Sequence, residues 1–499
     1  MVVIMSEVKA PQSRSSKVMR GISSQTIVTL VIGLTELLFF SIMSRLLSKE
    51  DFGYFAAITA VTAVFSSLAD TGIGAAIVQH KEIDKKYLDN AFSLSFFIGF
   101  ILMILLCALS APISILVVDS SIRIPLIILS CTLLLSCVTS VPRSILHRKR
   151  MFFRLGFSSL ISLILSSLVA IVLALKGFGF YAILGKNIVN SLLLYFISLF
   201  LAKTKFGFDW NPIVIKKIFG FSGWLMASAL FRNFSHSIDS LIMPRLMSVS
   251  MLGAYNRPKG FISQVSSQLN GIFDSALFPV LSEVQNDKLA IKNAYKTSIY
   301  YLNIFAMLLS ISFIFNSELI IRIFFGEQWL ELKYIFMILS LAFVFNIDIR
   351  LTDCYLRSLA LTKSQFFFRI IQFVLKTLCF VIGSHWGLIG FSVGGFVAVL
   401  LMTLIKVIYI SNKVGVSFNA TLHCMISSWR AGLLFIPVMI LCYIYIPSSL
   451  IGNIVNCCVM IIMFIGVFFT VPSFVGQRYY TEMYPKIMSR LEKISPKKG

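Results

Sequence analysis

The chain has 499 residues, of which 58% are hydrophobic and only 13% charged, with a mean hydropathy of +0.89. That composition excludes a soluble globular protein of any size and a disordered one, and leaves a polytopic membrane protein. The 44 Lys and Arg against 21 Asp and Glu give a net charge of +23, which reads as a topology signal and an attraction to anionic headgroups, with no nucleic-acid partner expected.

A helix that crosses a bilayer needs about 20 apolar residues. Fourteen such segments follow one another, beginning near Ile22, Phe52, Asn90, Ile124, Phe153, Phe178, Lys217, Leu252, Ser298, Leu332, Gln365, Trp386, Cys424 and Leu450. They are long continuous runs without the short alternation of outer-membrane strands, so the expected fold is all-α. The first run is long enough to span and lacks a small-residue cleavage site, which predicts a retained first span and no cleaved signal peptide.

When each connection is numbered by the segment it follows, the even connections and both tails hold 28 Lys and Arg, the odd connections hold nine, and seven lie inside segments. The positive-inside rule then places the even side and both termini in the cytoplasm. The basic tail after Gln477 suits a short helix on the membrane surface. The longest odd connection runs from about Arg245 to Gly260, and no connection has room for a folded catalytic domain. The nine cysteines and five histidines show no metal-ligand spacing, and the cysteines read as small buried apolar residues.

An internal repeat organises the chain. Ser44-Arg45-Leu46-Leu47-Ser48 with Phe52-Gly53 aligns, at an offset of 200, with Pro244-Arg245-Leu246-Met247-Ser248 and Leu252-Gly253. Segment 7 therefore corresponds to segment 1. Shorter matches pair Phe152-Phe153-Arg154 with Phe367-Phe368-Arg369, and Phe178-Gly179 with Trp386-Gly387. Six segments per unit is an even number, so both units have the same orientation and an axis along the membrane normal relates them. The expected architecture is about 14 transmembrane helices in two pseudo-symmetric six-helix lobes plus a C-terminal helix pair. Its divisions are a cytoplasmic tail 1–21, an N-lobe 22–202, a linker 203–215, a C-lobe 216–412, segments 13 and 14 within 413–472, and a basic tail 473–499.

Thirteen charged side chains, seven basic and six acidic, interrupt these apolar segments. A charge at the bilayer centre costs about 2.5–3.5 kcal/mol or more unless it is paired or faces water, so such helices enclose a polar cavity or an ion-paired core. In segment 10, Asn346, Arg350, Asp353 and Arg357 share one helical face, which is either a cavity wall or an internal salt-bridged ladder. Segment 7 places Arg232, His236 and Asp239 on one face, and segment 1 offers Gln25, Thr29 and Glu36. Asp70 and Asp274 lie in the corresponding segments 2 and 8, where they suit an inner gate, and Gln264, Gln268 and Asn270 suit hydroxyl-rich ligands. Lys186 and Lys376 are mid-segment cations with claims on a cavity, Arg143 follows Pro142 near an expected kink, and Lys406 and Arg430 read as snorkelling interface residues. No hydrolase triad, phosphate-binding Gly-rich loop or metal motif is visible, so neither an enzyme nor ATP use within this chain is expected.

The stretches Ser44-Arg45-Leu46-Leu47, Asp51-Phe52-Gly53-Tyr54 and Ala69-Asp70-Thr71-Gly72-Ile73-Gly74 resemble the polysaccharide transporter family, the Wzx-type flippases of the superfamily that also holds drug exporters and lipid II flippases. So do Leu252-Gly253-Ala254-Tyr255-Asn256-Arg257 and Phe324-Phe325-Gly326-Glu327-Gln328-Trp329. The similarity runs over about the first 420 residues and lies toward the colanic-acid or lipopolysaccharide exporter branch. It implies two six-helix lobes with a terminal pair, a central hydrophilic cavity, and movement of an undecaprenyl-diphosphate-linked oligosaccharide to the periplasmic leaflet of the bacterial inner membrane by alternating access. Arg232, Lys186, Lys376, Arg350, Gln264 and Gln268 are the expected phosphate or sugar contacts. Glu36, Asp239, Asp274, Asp70 and Asp353 are the expected coupling or cavity acids, with H+ or Na+ as the coupling ion and no other cofactor. Expected partners are the lipid-linked oligosaccharide, membrane lipids, and the glycan polymerase and chain-length machinery. A cation-coupled multidrug exporter of the same fold is the alternative.

Overall fold

The computed structural model describes residues 12–69, 73–79, 83–204, 206–272, 277–283, 285, 287–433, 436–437 and 440. Segment 14, the tail 473–499, Asp70 and Asp274 lie outside the described residues, and so do the side chains of Gln25, Gln268 and Asn270. Among those described there is no strand.

The N-lobe consists of α1 (Gln12–Leu46), α2 (Lys49–Ala69) with its short continuation α3 (Ile73–Gln79), α4 (Lys85–Val117), α5 (Arg123–Arg148), α6 (Phe152–Leu175) and α7 (Tyr181–Ala202). The C-lobe consists of α8 (Pro212–Leu246), α9 (Val249–Ile272) with α10 (Phe278–Glu283), α11 (Lys288–Phe315), the short α12 (Ser317–Phe324), α13 (Lys333–Ser358), α14 (Thr362–Ser384) and α15 (Gly387–Val414). Helix α16 (Phe418–Leu433) corresponds to segment 13 and packs on α11 and α15. Among the described residues, ten helical stretches are long and apolar enough to cross a membrane. The first thirteen expected segments each have a helix here.

Local chemistry sets the helix starts. Ser48 and Asp51 form a reciprocal capping box at α2: Asp51 Oδ2 accepts from Ser48 N at 3.0 Å, and Ser48 Oγ accepts from Asp51 N at 3.1 Å. In the second unit Ser248 Oγ accepts from Met251 N at 3.1 Å, so the repeated serine does the same work at α9. Asp84 and Asp287 cap α4 and α11 by accepting from backbone N–H groups of the first turn. Because α9 already begins at Val249, the connection expected to extend to Gly260 is confined to Met247 and Ser248.

Lipid is as apolar as the helix surfaces, so close packing and hydrogen bonding hold the helices together. Small side chains line the contacts: Ser158, Ser162 and Ser166 form a buried stripe on α6, each hydroxyl donating to a carbonyl of its own helix. Leu30, Leu34 and Leu38 form an exposed stripe on α1, the kind of surface that faces acyl chains.

The apolar cores are distributed unequally. One large core takes side chains from both lobes, among them Phe39, Met43, Phe52, Tyr255, Trp329 and Phe336, and lies where α1, α2, α9 and α12 meet at the odd face. Toward the even face smaller cores confined to single lobes replace it, two of them larger than the cluster of Leu146, Leu155 and Ala202. One is built within the N-lobe around Ile73, Ile77 and Tyr87, the other within the C-lobe around Tyr295, Tyr355 and Met402. The lobes are therefore fused on one side and individually cored on the other.

Candidate functional site

The odd face is sealed by contacts that follow the repeat. Helices α2 and α9 cross at Gly53 and Gly253, where a Cβ on Gly53 would lie 1.9 Å from the Val249 carbonyl oxygen and one on Gly253 would lie 1.8 Å from that of Lys49. Only glycine permits this approach. Arg45 donates from Nη2 to the Ile323 carbonyl at 2.8 Å, across to the C-lobe, and its repeat counterpart Arg245 donates from Nε to the Leu116 carbonyl of the N-lobe at 3.1 Å. Gln328 and Trp329 both donate to the Ser44 carbonyl, and Lys49 pairs with Glu331. Beside this seal, hydrogen bonds from Lys333 and Arg322 hold the Glu318 carboxyl below the usual carboxylate pKa.

Behind the seal lies a cavity of about 350 Å³ between the lobes, with two unlike walls. The N-lobe wall is apolar, formed by Leu37 and Phe40 of α1 and by Phe52, Phe55, Ala56 and Ala60 of α2, with Thr59 as a polar exception. The C-lobe wall presents His236 and Ser240 from α8 and Asn256, Arg257, Lys259 and Gln264 from α9. Arg257 is buried inside an aromatic box, its guanidinium 4.1 Å from the Phe52 ring centre and 5.4 Å from those of Phe40 and Phe325. It donates from Nη2 to the Phe40 carbonyl at 2.7 Å, and its Nε has no hydrogen-bond partner. Lys259 reaches the buried Asp239 at 2.5 Å.

His236 of α8 lines this cavity and its side chain is exposed. Lys376, Arg369, Arg350 and Lys259 all act on it electrostatically. Cations thus converge on one wall while the carboxylates nearby, Asp239 and Asp353, are already neutralised. In a low-dielectric, water-poor site such a wall favours an anion strongly.

The expected site residues divide among several places. Gln264 lines the cavity and Asp239 stands behind Lys259. Lys376 is half-buried on α14 and donates to the Ser235 carbonyl of α8 at 3.3 Å; Arg350 is half-buried on α13, and Arg232 is exposed on α8 one turn before His236. Lys186 is elsewhere: it is buried in the N-lobe with its ammonium 3.7 Å from the Phe39 ring centre, and Glu36 of α1 is its acidic neighbour. Asp353 belongs to an ion-paired knot, accepting from Arg369 at 2.7 Å and Lys406 at 2.5 Å. Its partners stand on α14 and α15, so these pairs run between helices and not, as the ladder reading expected, along segment 10.

Lys406 corrects the snorkelling expectation, because its side chain is fully buried and ion-paired. Arg257 and Lys259, counted by charge as part of an odd-side connection, sit within α9, and Arg369, counted on the even side, is buried against Asp353 and Gln372. For Arg257 and Lys259 the signal in the sequence was helical spacing with Gln264 and Asn256. Asp348 was also passed over. It is buried, accepts from Asn303 Nδ2 at 2.7 Å, and is linked through Asn303 to Trp429 of α16.

A family model described as polysaccharide biosynthesis protein matches residues 42–334. The lipopolysaccharide biosynthesis protein WzxC of Escherichia coli (strain K12) is 22% identical over 434 residues, 84% of this chain and 85% of that one. The succinoglycan biosynthesis transport protein ExoT of Rhizobium meliloti (strain 1021) is 24% identical over 294 residues, which span 58% of each chain. Among solved structures, the lipid II flippase MurJ in an inward closed conformation superposes with a TM-score of 0.67 at 17% identity, covering 90% of this chain and 99% of that one. An inward-facing MATE multidrug transporter of the MOP superfamily gives 0.56 at 17% identity, covering 78% and 98%. These likenesses establish the two-lobed fold, and its many long apolar helices make this a multi-pass membrane protein; the family match then places the chain, which belongs to the polysaccharide biosynthesis protein family.

Proposed function

We propose that the protein is a flippase that carries an undecaprenyl-diphosphate-linked oligosaccharide from the cytoplasmic to the periplasmic leaflet of the bacterial inner membrane. The observation that carries this reading is the cavity's cationic wall. Arg257 and Lys259 face the cavity with His236, and Lys376, Arg350 and Arg369 reinforce the field from behind. A diphosphate is the part of such a substrate that demands this field, and charge-assisted hydrogen bonds to it are the strong ones. Gln264, Asn256 and Ser240 are suited to sugar hydroxyls, and the Phe40, Phe52 and Phe55 rings to sugar faces.

The mechanism follows from the divided cores. With the even face cytoplasmic, the head group enters where the lobes are separately packed, while the polyprenyl tail stays in lipid. A cavity of about 350 Å³ holds a diphosphate with its first sugar and must widen for a longer glycan. Breaking the odd-face seal at Gly53 and Gly253 and re-forming contacts on the even face then exposes the head group outside. Asp239 is the coupling acid of choice: H+ or Na+ competes with Lys259 for its carboxylate, and a freed Lys259 turns to the diphosphate. Partners in this reading are the lipid-linked glycan and the polymerase that receives it.

Deleting the gene and measuring undecaprenyl-linked intermediates by mass spectrometry, with a complemented strain alongside, tests the proposal. Accumulation of one complete lipid-linked repeat, relieved by complementation, is expected. Intact surface glycan without accumulation would favour the multidrug exporter, whose apolar cargo the N-lobe wall alone would suit.

A further inference from the structure

A second cavity, of about 570 Å³, lies within the N-lobe toward the even face, walled by α1, α3, α5 and α6. It is separate from the interlobe cavity and shares no lining residue with it. Its apolar side is Val28 and Ile32 of α1 with Leu155 of α6; its polar side is Arg143, Ser144 and His147 of α5 with Ser159 of α6.

Arg143 is the unusual member. Arg369 and Lys406 share Asp353, Lys259 holds Asp239, and Arg257, a deep arginine bonded to a carbonyl, belongs to the interlobe cavity. Arg143 meets two hydroxyls, donating from Nη1 to Ser159 Oγ at 3.1 Å and to Ser158 Oγ at 3.5 Å, and no carboxylate among the described residues pairs with it. A guanidinium has five N–H donors in a planar fork, and two serines through one nitrogen leave most of that capacity to the cavity. A charge in a membrane segment without an ion partner is costly and marks a ligand position. His147 stands one turn on, along the same face of α5 and open to the cavity, its ring edge-on to Phe152. At the adjoining corner Lys149 and Arg150 are exposed, whereas Arg148 is spent on the Ile77 carbonyl at 3.0 Å and Arg154 on that of Leu201 at 3.3 Å. The corner is thus pinned in shape and left positive at its rim.

We propose that this N-lobe cavity is a binding site for a lipid phosphate ester, with Arg143 as its anchor and His147 at its mouth. Planar N–H pairs match phosphate oxygens, the hydroxyls of Ser159 and Ser144 complete the shell, and Val28, Ile32 and Leu155 give an apolar flank for the start of a lipid chain. The same chemistry is offered by an anionic phospholipid of the bilayer and by the diphosphate of a lipid-linked glycan arriving from the cytoplasm. In the second case the site is a receiving station before the interlobe cavity, and that case alone rests on the flippase reading.

The test is native mass spectrometry on the full chain in detergent, carrying Arg257→Gln and Lys259→Gln so that the interlobe cavity does not answer, with two pairs of probes: phosphatidylglycerol against diacylglycerol, and undecaprenyl diphosphate against undecaprenol. Each pair differs only in the phosphate-bearing head. The expected result is that one phosphate probe binds, its phosphate-free partner does not, and Arg143→Gln weakens that binding about tenfold while Arg143→Lys retains part of it. Which pair responds identifies the source. Equal binding of both members of each pair, or wild-type binding of the phosphate probes by Arg143→Gln, would overturn the site. Should Arg143→Gln fail to fold, Thr29→Cys keeps the arginine and places a thiol in the cavity. Its alkylation, read at that peptide, is slowed by the phosphate probe and not by its partner; no slowing by either phosphate probe rejects the proposal. The assay requires no transport, so its failure is distinct from a failure of the gene-deletion experiment.

Discussion

The two lobes build the same corner and give it different chemistry. Ser48 and Ser248 cap equivalent helices, Gly53 and Gly253 meet at one crossing, and Arg45 and Arg245 each bind a carbonyl of the opposite lobe. One turn further in, the equivalence ends: α2 lines the cavity with Phe52, Phe55, Ala56 and Ala60, and α9 lines it with Asn256, Arg257, Lys259 and Gln264. What the repeat retains is the closing surface, where both halves must match for the seal to form. The transported head needs only one charged wall, and an apolar opposing wall lets it leave.

The comparison is broken most severely by removing the charged wall. Replacing Arg257 and Lys259 together with Ala is expected to reduce surface glycan about tenfold or more at unchanged protein level, since each lost charge-assisted contact to phosphate is worth about 1.4 kcal/mol or more. Normal export by that double variant would remove the basis for assigning the wall a role. Introducing a positive charge on the apolar wall, Ala60→Lys, should by contrast leave head-group binding intact or raise it and slow release, read as a fall in export without a fall in binding.

Breaking the shared seal should act through conformation. Gly253→Val pushes a side chain into the Lys49 carbonyl and holds the odd face open. A cysteine at Thr59, on the cavity wall, should then react with a membrane-impermeant thiol reagent applied from the periplasm, whereas in the wild-type background it should stay protected. Equal labelling in both backgrounds would show that the crossing is not the gate.

Within the C-lobe, Asp353 carries two buried cations, so Asp353→Asn leaves both uncompensated. The expected cost is about 3–5 kcal/mol, seen as a lowered melting temperature in detergent, and Asp353→Leu combined with Lys406→Met should recover part of it. A double variant less stable than the single would contradict the ion-knot description. The smallest effect belongs to Glu318. Its lowered pKa means that its contribution is present above the unfolded carboxylate pKa and is lost as pH falls through the folded value. Half-exposed pairs of this kind are screened, so Glu318→Gln should cost less than about 1 kcal/mol at neutral pH and nothing below the folded pKa.

The membrane class, the succession of helices and the repeat were legible in the sequence because they rest on long apolar runs and on a corner motif that is local. The cavity was only partly legible. Arg257 and Lys259 lie in the first turns of α9, where a count by apolar windows assigns them to a connection, and only the fold shows them turned inward. Lys406 and Arg369 sit near helix ends, where snorkelling is the ordinary outcome; Asp353, on a different helix, draws both into the core. Conversely Lys186 has the mid-segment position of a cavity residue and lies under Phe39 in the N-lobe, because residues from different helices meet by packing that position along one helix does not encode.

The most direct test of the charged wall is the affinity of the purified full chain for undecaprenyl diphosphate relative to undecaprenol, measured in the Arg143→Gln background so that the interlobe cavity is the remaining site. With the charged wall intact, the diphosphate should bind at least about tenfold tighter than the alcohol, and adding Arg257→Gln and Lys259→Gln should abolish the difference. Equal affinity for the two lipids, or a preference that survives both substitutions, would contradict the wall's role.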